Sequence, residues 1–253
     1  MTNPTTTHLS FTAGTTPDGK TIVRDFARIP HVLVCGSTGS GKSNFLHSLI
    51  RSLVRDHSPD DVRFLLADPK RVEFSPYAAL PHLLAPVIRD STQAVQALRR
   101  LDGEMSRRGA DGSQTERPRI VVIIDEFSDF MIQEREIVEP LVTRVATSGA
   151  AGGIHLVIAT SRPASTVFTN GLLAAIPARL VFRLVGADDF AKRVGAPGAK
   201  DLAGRGDGFW REPCGELLRV RTPFVSEDEI GIQSCTNRST ASKDSRHEQT
   251  ASG

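Results

Sequence analysis

Short apolar runs alternate along the chain with longer stretches in which apolar residues recur every three or four positions. The runs are 31–35 (HVLVC), 62–67 (VRFLLA), 119–124 (RIVVII), 155–159 (HLVIA) and 178–184 (ARLVFRL). They are apolar at consecutive rather than alternate positions, the pattern of strands buried on both faces of a sheet. Residues 44–55, 91–108 and 134–148 carry helical spacing. The second of these has Ser91 or Thr92 as its cap and Val95, Leu98, Leu101 and Met105 on one face, and glycines within 149–153 close the third. Strands alternating with helices predict an α/β fold with a mainly parallel sheet covered by helices on both faces. Turn chemistry adds two hairpins. Thr16-Pro17-Asp18-Gly19-Lys20 joins 8–11 to 21–24, and Gly204-Arg205-Gly206-Asp207-Gly208 leads into 209–210 and 217–220. Residues 109–118 read as a polar loop and 1–7 as a disordered N-terminus. The apolar signal fades from about Ser226, so one domain is expected over 8–225, followed by a polar, disordered tail over 226–253.

The stretch between the first buried run and its helix carries the clearest chemistry. Gly36-Ser37-Thr38-Gly39-Ser40-Gly41-Lys42-Ser43 satisfies G-x-x-x-x-G-K-[ST] and has the strand before it and the helix after it that a phosphate-binding loop needs. Glycines let backbone N–H groups close on phosphate oxygens, and the helix adds the positive end of its dipole. In this P-loop reading, Gly36 to Ser43 and the following Asn44 hold ATP, Lys42 reaches the β and γ phosphates, and the Ser43 hydroxyl takes one position on Mg²⁺. The run 121–124 delivers Asp125-Glu126 at its carboxyl end. Asp125 is placed to hold Mg²⁺ through water and Glu126 to deprotonate the attacking water, unless the two acids simply cap the next helix. Thr160 and Ser161 end the strand after that. Either is placed to sense the γ-phosphate or to act as an ordinary strand-ending cap.

Composition narrows the setting. A net charge of +2 announces no polyanion partner, though a groove needs only a local basic stripe. Three widely spaced cysteines without a C-x-x-C pair indicate neither a disulfide framework nor a zinc site, and the seven histidines show no ligand spacing. No apolar run is long enough to span a bilayer, and the threonine-rich N-terminus lacks the features of a signal peptide, so a cytoplasmic chain without direct membrane insertion is expected.

Several segments, in this order and spacing, resemble the motor domain of the FtsK/SpoIIIE family. They are Pro30-His31-Val32-Leu33-Val34 before the loop, Asp68-Pro69-Lys70 followed by Leu80-Pro81-His82-Leu83-Leu84, and Glu104-Met105 with Arg107-Arg108. Further along come Asp125-Glu126-Phe127 with Asp129, Gly153-Ile154-His155-Leu156 with Ala159-Thr160 and Arg162-Pro163, Ile176-Pro177-Ala178-Arg179, and Gly204-Arg205-Gly206-Asp207. The resemblance covers about residues 8–225. It implies a RecA-like P-loop NTPase fold and a DNA-stimulated, Mg²⁺-dependent ATP hydrolase. It also implies a homohexameric ring that moves double-stranded DNA in segregation or conjugative transfer, with a membrane-anchored partner in reach. Non-specific tracking along DNA needs contacts to phosphates, for which Lys70, Arg71, Arg107, Arg108 and Arg117 are candidates, each with a solvated charged surface as the plain alternative. Two positions depart from the family pattern. Ser161 stands where a glutamine is usual, and Ala150 where an arginine usually reaches a neighbour's nucleotide. Arg162 and Arg179 are the first substitutes for that trans-acting arginine, with Arg144, Arg183 and Arg193 behind them. Two other functions fit the same motifs: an ATPase of a type VII-like protein secretion system, and an ATP-binding interaction module with weak hydrolysis.

Overall fold

The computed structural model describes residues 8–111, 118–164 and 166–230. Its elements, in chain order, are β1 (Ser10–Thr15), β2 (Thr21–Asp25), β3 (His31–Cys35), α1 (Lys42–Asp56), β4 (Val62–Ala67), α2 (Ser91–Asp111), β5 (Arg119–Ile124) and α3 (Phe127–Ser148). They continue with β6 (Ile154–Thr160), α4 (Asn170–Ala175), β7 (Ala178–Phe182), α5 (Asp188–Arg193), β8 (Asp207–Arg211), β9 (Leu217–Arg221) and α6 (Glu227–Ile230).

The nine strands among the described residues form one sheet in the order β2-β1-β9-β8-β7-β3-β6-β5-β4. The five consecutively apolar runs are its parallel half, β7-β3-β6-β5-β4. Side chains alternate across a strand, and here the alternation sorts the core into two layers. Leu33, Leu65, Val122, Ile124, Leu156 and Ile158 pack on α2, α3 and α4. Val32, Val34, Phe64, Leu66, Val121, Ile123 and Val157 pack on the Phe45, Leu46, Leu49 and Leu53 face of α1. A run apolar at every position is therefore what this sheet requires.

Both expected hairpins are present, and they extend the sheet beyond its parallel half. β8 pairs antiparallel with β7, β9 with β8, and β1 meets β9 at Thr15 and Arg221. Their inner faces meet where the fully buried Trp210 ring stands edge-on to Phe11, with centroids 6.1 Å apart.

Two expectations need correction. The third long helix begins at Phe127, directly after Glu126, and not at 134; Glu134 breaks its helical geometry with φ −138° and ψ 42°, so the chain turns there between two helical pieces. Residues 226–230, assigned by sequence to the polar tail, include α6, and Ile230 packs against the α1 layer. The side chain of Asn44 ties Val225 to α1, accepting from its N–H at 2.7 Å. The short helices α4 and α5 have too few turns to show a period and went unread. The expected disorder of 1–7 and of the tail from 231 onward lies outside the described residues, as does most of the loop expected over 109–118. Among the described residues no helix is long and apolar enough to cross a membrane.

Candidate nucleotide site

The loop from Gly36 to Gly41 joins β3 to α1 at the carboxyl edge of the parallel strands. Its first turn is fixed from the sheet. Gly36 N–H donates to Thr160 O at 3.2 Å and Ser37 N–H to Arg183 O at 2.8 Å, while Ser37 Oγ accepts from Val185 N–H at 3.0 Å. Its last turn is fixed by the Gly204-Arg205-Gly206 segment, where Gly206 N–H donates to Ser40 O at 2.8 Å. Gly41 sits at φ +122°, and a Cβ there would lie 2.6 Å from Gly206 N, so only glycine lets the two segments touch. α1 then starts with neither a side-chain cap nor an acid in its first turn, leaving its N–H groups and dipole for an anion. Lys42 is buried and lies back across the loop, donating to Gly36 O at 2.7 Å and Ser37 O at 3.4 Å. Burial lowers its pKa, and the charges of Glu126 and Asp125 offset that only in part.

The acids converge from β4 and β5. Ala67 and Ile124 are register partners, so Asp68 and the Asp125-Glu126 pair leave the sheet side by side. Asp125 is 4% exposed, and its carboxyl is pushed up to about 7 by burial first and then by Glu126, Glu73 and Asp68, against Lys42. Glu126 occupies the left-handed region at φ 48° and ψ 50°, where a non-glycine residue is held at a cost of about 1–2 kcal/mol. That conformation lets the strand end at Ile124 and the buried Phe127 start α3 three residues later. Burial pushes the Glu126 carboxyl up, but the Ser161 hydroxyl and N–H, Lys70 and Lys42 outweigh it, so it stays below the usual carboxylate range.

Both oxygens of Glu126 are held. Oε2 accepts from Ser161 Oγ at 2.8 Å and from Ser161 N–H at 3.1 Å, and Oε1 lies 3.3 Å from Lys70 Nζ. β6 lies between β3 and β5, and so Ser161 faces Glu126. Ser161 is therefore a positioning residue for Glu126. Thr160 is fully buried; its hydroxyl bonds Ser128 Oγ at 2.6 Å and accepts from Arg162 N–H at 3.1 Å. Of the two residues weighed as γ-phosphate sensors, Thr160 is thus committed to holding the strand tip.

Glu73 was missed in the sequence, and Asp68 was named only as part of the Asp68-Pro69-Lys70 segment. Glu73 Oε1 accepts from Ser43 Oγ at 2.7 Å, and its Oε2 lies 3.3 Å from His47 Nε2, whose Nδ1 is 2.8 Å from the Tyr77 hydroxyl. Asp68 Oδ2 accepts from the N–H groups of Glu73 and Phe74 at 2.8 and 3.1 Å, and its Oδ1 is buried without a partner. Asp68 gave a faint signal, since an Asp directly after a buried strand commonly accepts from the backbone of the turn that follows.

The basic candidates separate. Lys70, expected on the DNA side, instead pairs with Glu126. Arg108 is buried and donates to Glu104 at 2.7 Å, to Gly152 O at 2.7 Å and to Pro118 O at 3.0 Å, which makes it a structural arginine and corrects its assignment to DNA. Arg107 is more than half exposed and pairs with Glu104, Arg71 is exposed at φ 60°, and Arg117 lies outside the described residues. Arg179, proposed as a trans-acting arginine, is 8% exposed on β7 and donates to Leu173 O at 2.9 Å, so it does not reach a neighbour. Arg162 is exposed and paired with Asp129 at the same sheet edge as Lys42. Arg144, 56% exposed and 2.6 Å from Asp102, lies five residues before the 3₁₀ segment that carries Ala150.

These residues fit a nucleoside triphosphate and a divalent cation. An uncapped helix start meets a buried ammonium, the Ser40 hydroxyl is buried without a partner, the Ser43 hydroxyl is held by a carboxylate, and Asp125 is a buried acid whose charge a cation would relieve. The sheet order, the loop and the paired acids on the next strand but one define a RecA-like P-loop ATPase domain. Comparison narrows this. The model of the FtsK/SpoIIIE family matches residues 4–111 and 109–165. The DNA translocase FtsK of Leptospira interrogans is 39% identical over 246 residues, covering 88% of this chain and 26% of the relative. That of Oceanobacillus iheyensis is 35% identical over 251 residues, covering 89% of this chain and 32% of the relative. The chain thus spans about a quarter to a third of the length of the relatives it matches. Among solved structures, the cytoplasmic domain of the Thermomonospora curvata type VII secretion ATPase EccC aligns with a TM-score of 0.76 and 25% identity, over 89% of this chain and 30% of that one. The pCW3 conjugation coupling protein TcpA, with ATPγS, aligns with a TM-score of 0.76 and 24% identity, over 89% and 68%. The chain belongs to the FtsK/SpoIIIE family.

Proposed function

We propose that this chain is the ATP-hydrolysing motor of a double-stranded DNA translocase. The observation that carries this reading is that Lys42, Ser43, Asp125 and Glu126 converge intact in a chain 39% identical, over 88% of its length, to proteins named DNA translocase. In this reading the loop N–H groups and Lys42 bind the triphosphate, and Ser43 and Asp125 hold Mg²⁺, which neutralises phosphate charge when bound. Glu126, oriented by Ser161, takes the proton of the water that attacks the γ-phosphorus, and Lys42 stabilises charge on the departing β-phosphate oxygens. Subunits assemble as a ring, a homohexamer, with duplex DNA in its channel. Arg71 and Arg107 are the remaining described candidates for phosphate contacts. Arg144, an exposed arginine six residues before Ala150, takes the trans-acting part left open there.

The test is ATP turnover by the purified chain with and without long duplex DNA and with and without Mg²⁺, beside Lys42→Ala and Glu126→Gln. The expected result is Mg²⁺-dependent turnover raised by duplex and lost in both variants. No turnover under any condition would overturn the motor reading. The likeness to EccC favours a second reading, a protein-secretion ATPase, which predicts turnover indifferent to duplex DNA.

A further inference from the structure

The segment from Asp68 to Tyr77 is built as a rigid arm over the site. Asp68 Oδ2 clamps the N–H groups of Glu73 and Phe74, Arg71 N–H donates to Asp68 O at 3.1 Å, and the buried rings of Phe74 and Tyr77 anchor the arm in the α1 layer. From this arm Glu73 holds Ser43 and Lys70 holds Glu126. One short loop therefore touches both halves of the centre.

Two ammonium groups, Lys42 and Lys70, face four carboxyls, Asp68, Glu73, Asp125 and Glu126, and their situations differ. Lys42 is 7% exposed and bound to two loop carbonyls. Lys70 has a side chain 44% exposed and reaches Glu126 at 3.3 Å, a loose ion pair on a flexible stem. While Lys70 sits on Oε1 and Ser161 on Oε2, both oxygens of the base are engaged. A γ-phosphate arriving beside Lys42 brings more negative charge than one carboxylate does, and Lys70 is the cation free to move to it.

Resting on the nucleotide-site reading above, we propose that Lys70 is a second phosphate-binding lysine. It leaves Glu126 for the γ-phosphate, so that a triphosphate, and not a diphosphate, frees the catalytic carboxylate.

The test is equilibrium binding of a methylanthraniloyl-labelled, non-hydrolysable ATP analogue and of labelled ADP, both with Mg²⁺. Lys70→Met is expected to weaken the triphosphate analogue about tenfold while changing ADP by less than about twofold, as for one partly exposed charge-assisted contact. Retained ADP affinity also shows that the variant site is folded. Weakening of both nucleotides alike, or of neither, would overturn the proposal. Glu126→Gln is expected to tighten the triphosphate analogue when Lys70 is present and to leave it unchanged in the Lys70→Met background; equal tightening in both would mean that Lys70 does not exchange partners. Lys42→Ala separates this inference from the reading beneath it. If Lys42→Ala binds both nucleotides as the wild type does, the P-loop assignment itself falls. If it loses both while Lys70→Met matches the wild type, only the role of Lys70 falls.

Discussion

Asp125→Asn should make the nucleotide-free chain more stable while removing its ATPase activity. The Asp125 carboxyl is raised from 3.8 to about 7, first by burial and then by Glu126, Glu73 and Asp68. Between those values the folded chain keeps a proton that the unfolded chain has released, so stability falls as pH rises across the window and levels off above it. At about 1.4 kcal/mol per pH unit the full rise corresponds to a cost on the order of 4 kcal/mol, and sharing of the proton among neighbouring carboxyls brings this to about 2–4 kcal/mol. The amide keeps the shape and removes the charge. In EDTA at pH 8, Asp125→Asn should gain about 2–4 kcal/mol, which for a domain of this size raises Tm by roughly 4–16 °C. At pH 5 the folded wild-type group is still protonated and only the first part of the window, from 3.8 to 5, has been crossed, so the gain should shrink to about 1.5 kcal/mol. Thermal unfolding at the two pH values is the assay. A variant no more stable than wild type at pH 8, or one with the same gain at both, would refute the argument that Asp125 is a strained, charge-crowded acid.

Three further outcomes are expected. Ser161→Ala removes the hydroxyl that orients Glu126 Oε2 and should lower kcat about tenfold with ATP affinity within about twofold, since the backbone N–H contact remains; steady-state kinetics and labelled-nucleotide binding check this. Arg144→Ala should lower kcat of the assembled protein by about 10³-fold or more without altering nucleotide affinity, and active subunits mixed with Arg144→Ala, Lys42→Ala double variants should show the charge acting on the neighbour. Phe11→Ala should cost about 3–5 kcal/mol and shift the emission of Trp210, the single tryptophan, to longer wavelength, because the Phe11 ring covers its edge.

What the sequence showed and what it hid follow from how far apart the interacting residues lie. Gly36 to Ser43 was legible because the loop and its flanking elements are contiguous. The five parallel strands were legible because burial on both faces leaves a consecutive apolar signature at each. Ser161 and Glu126 are 35 residues apart, and their pairing depends on β6 lying beside β5, which no local pattern states. The Lys70 assignment missed for the same reason: its loop looked exposed, and only the Ala67 to Ile124 register turns it toward Glu126. Arg179, taken as a trans-acting arginine from its family position, and Arg108, taken as a DNA contact from its place beside a loop, are each buried with backbone carbonyls as partners. Phe127 was passed over as a helix start because the left-handed turn at Glu126 leaves no capping residue to read.

The most direct measurement of the central reading is displacement of a third-strand oligonucleotide from a long duplex by the assembled protein. Displacement is expected to need ATP and Mg²⁺ and to disappear in Lys42→Ala and Glu126→Gln. ATP hydrolysis at the same rate with and without duplex, with the third strand left in place, would contradict it.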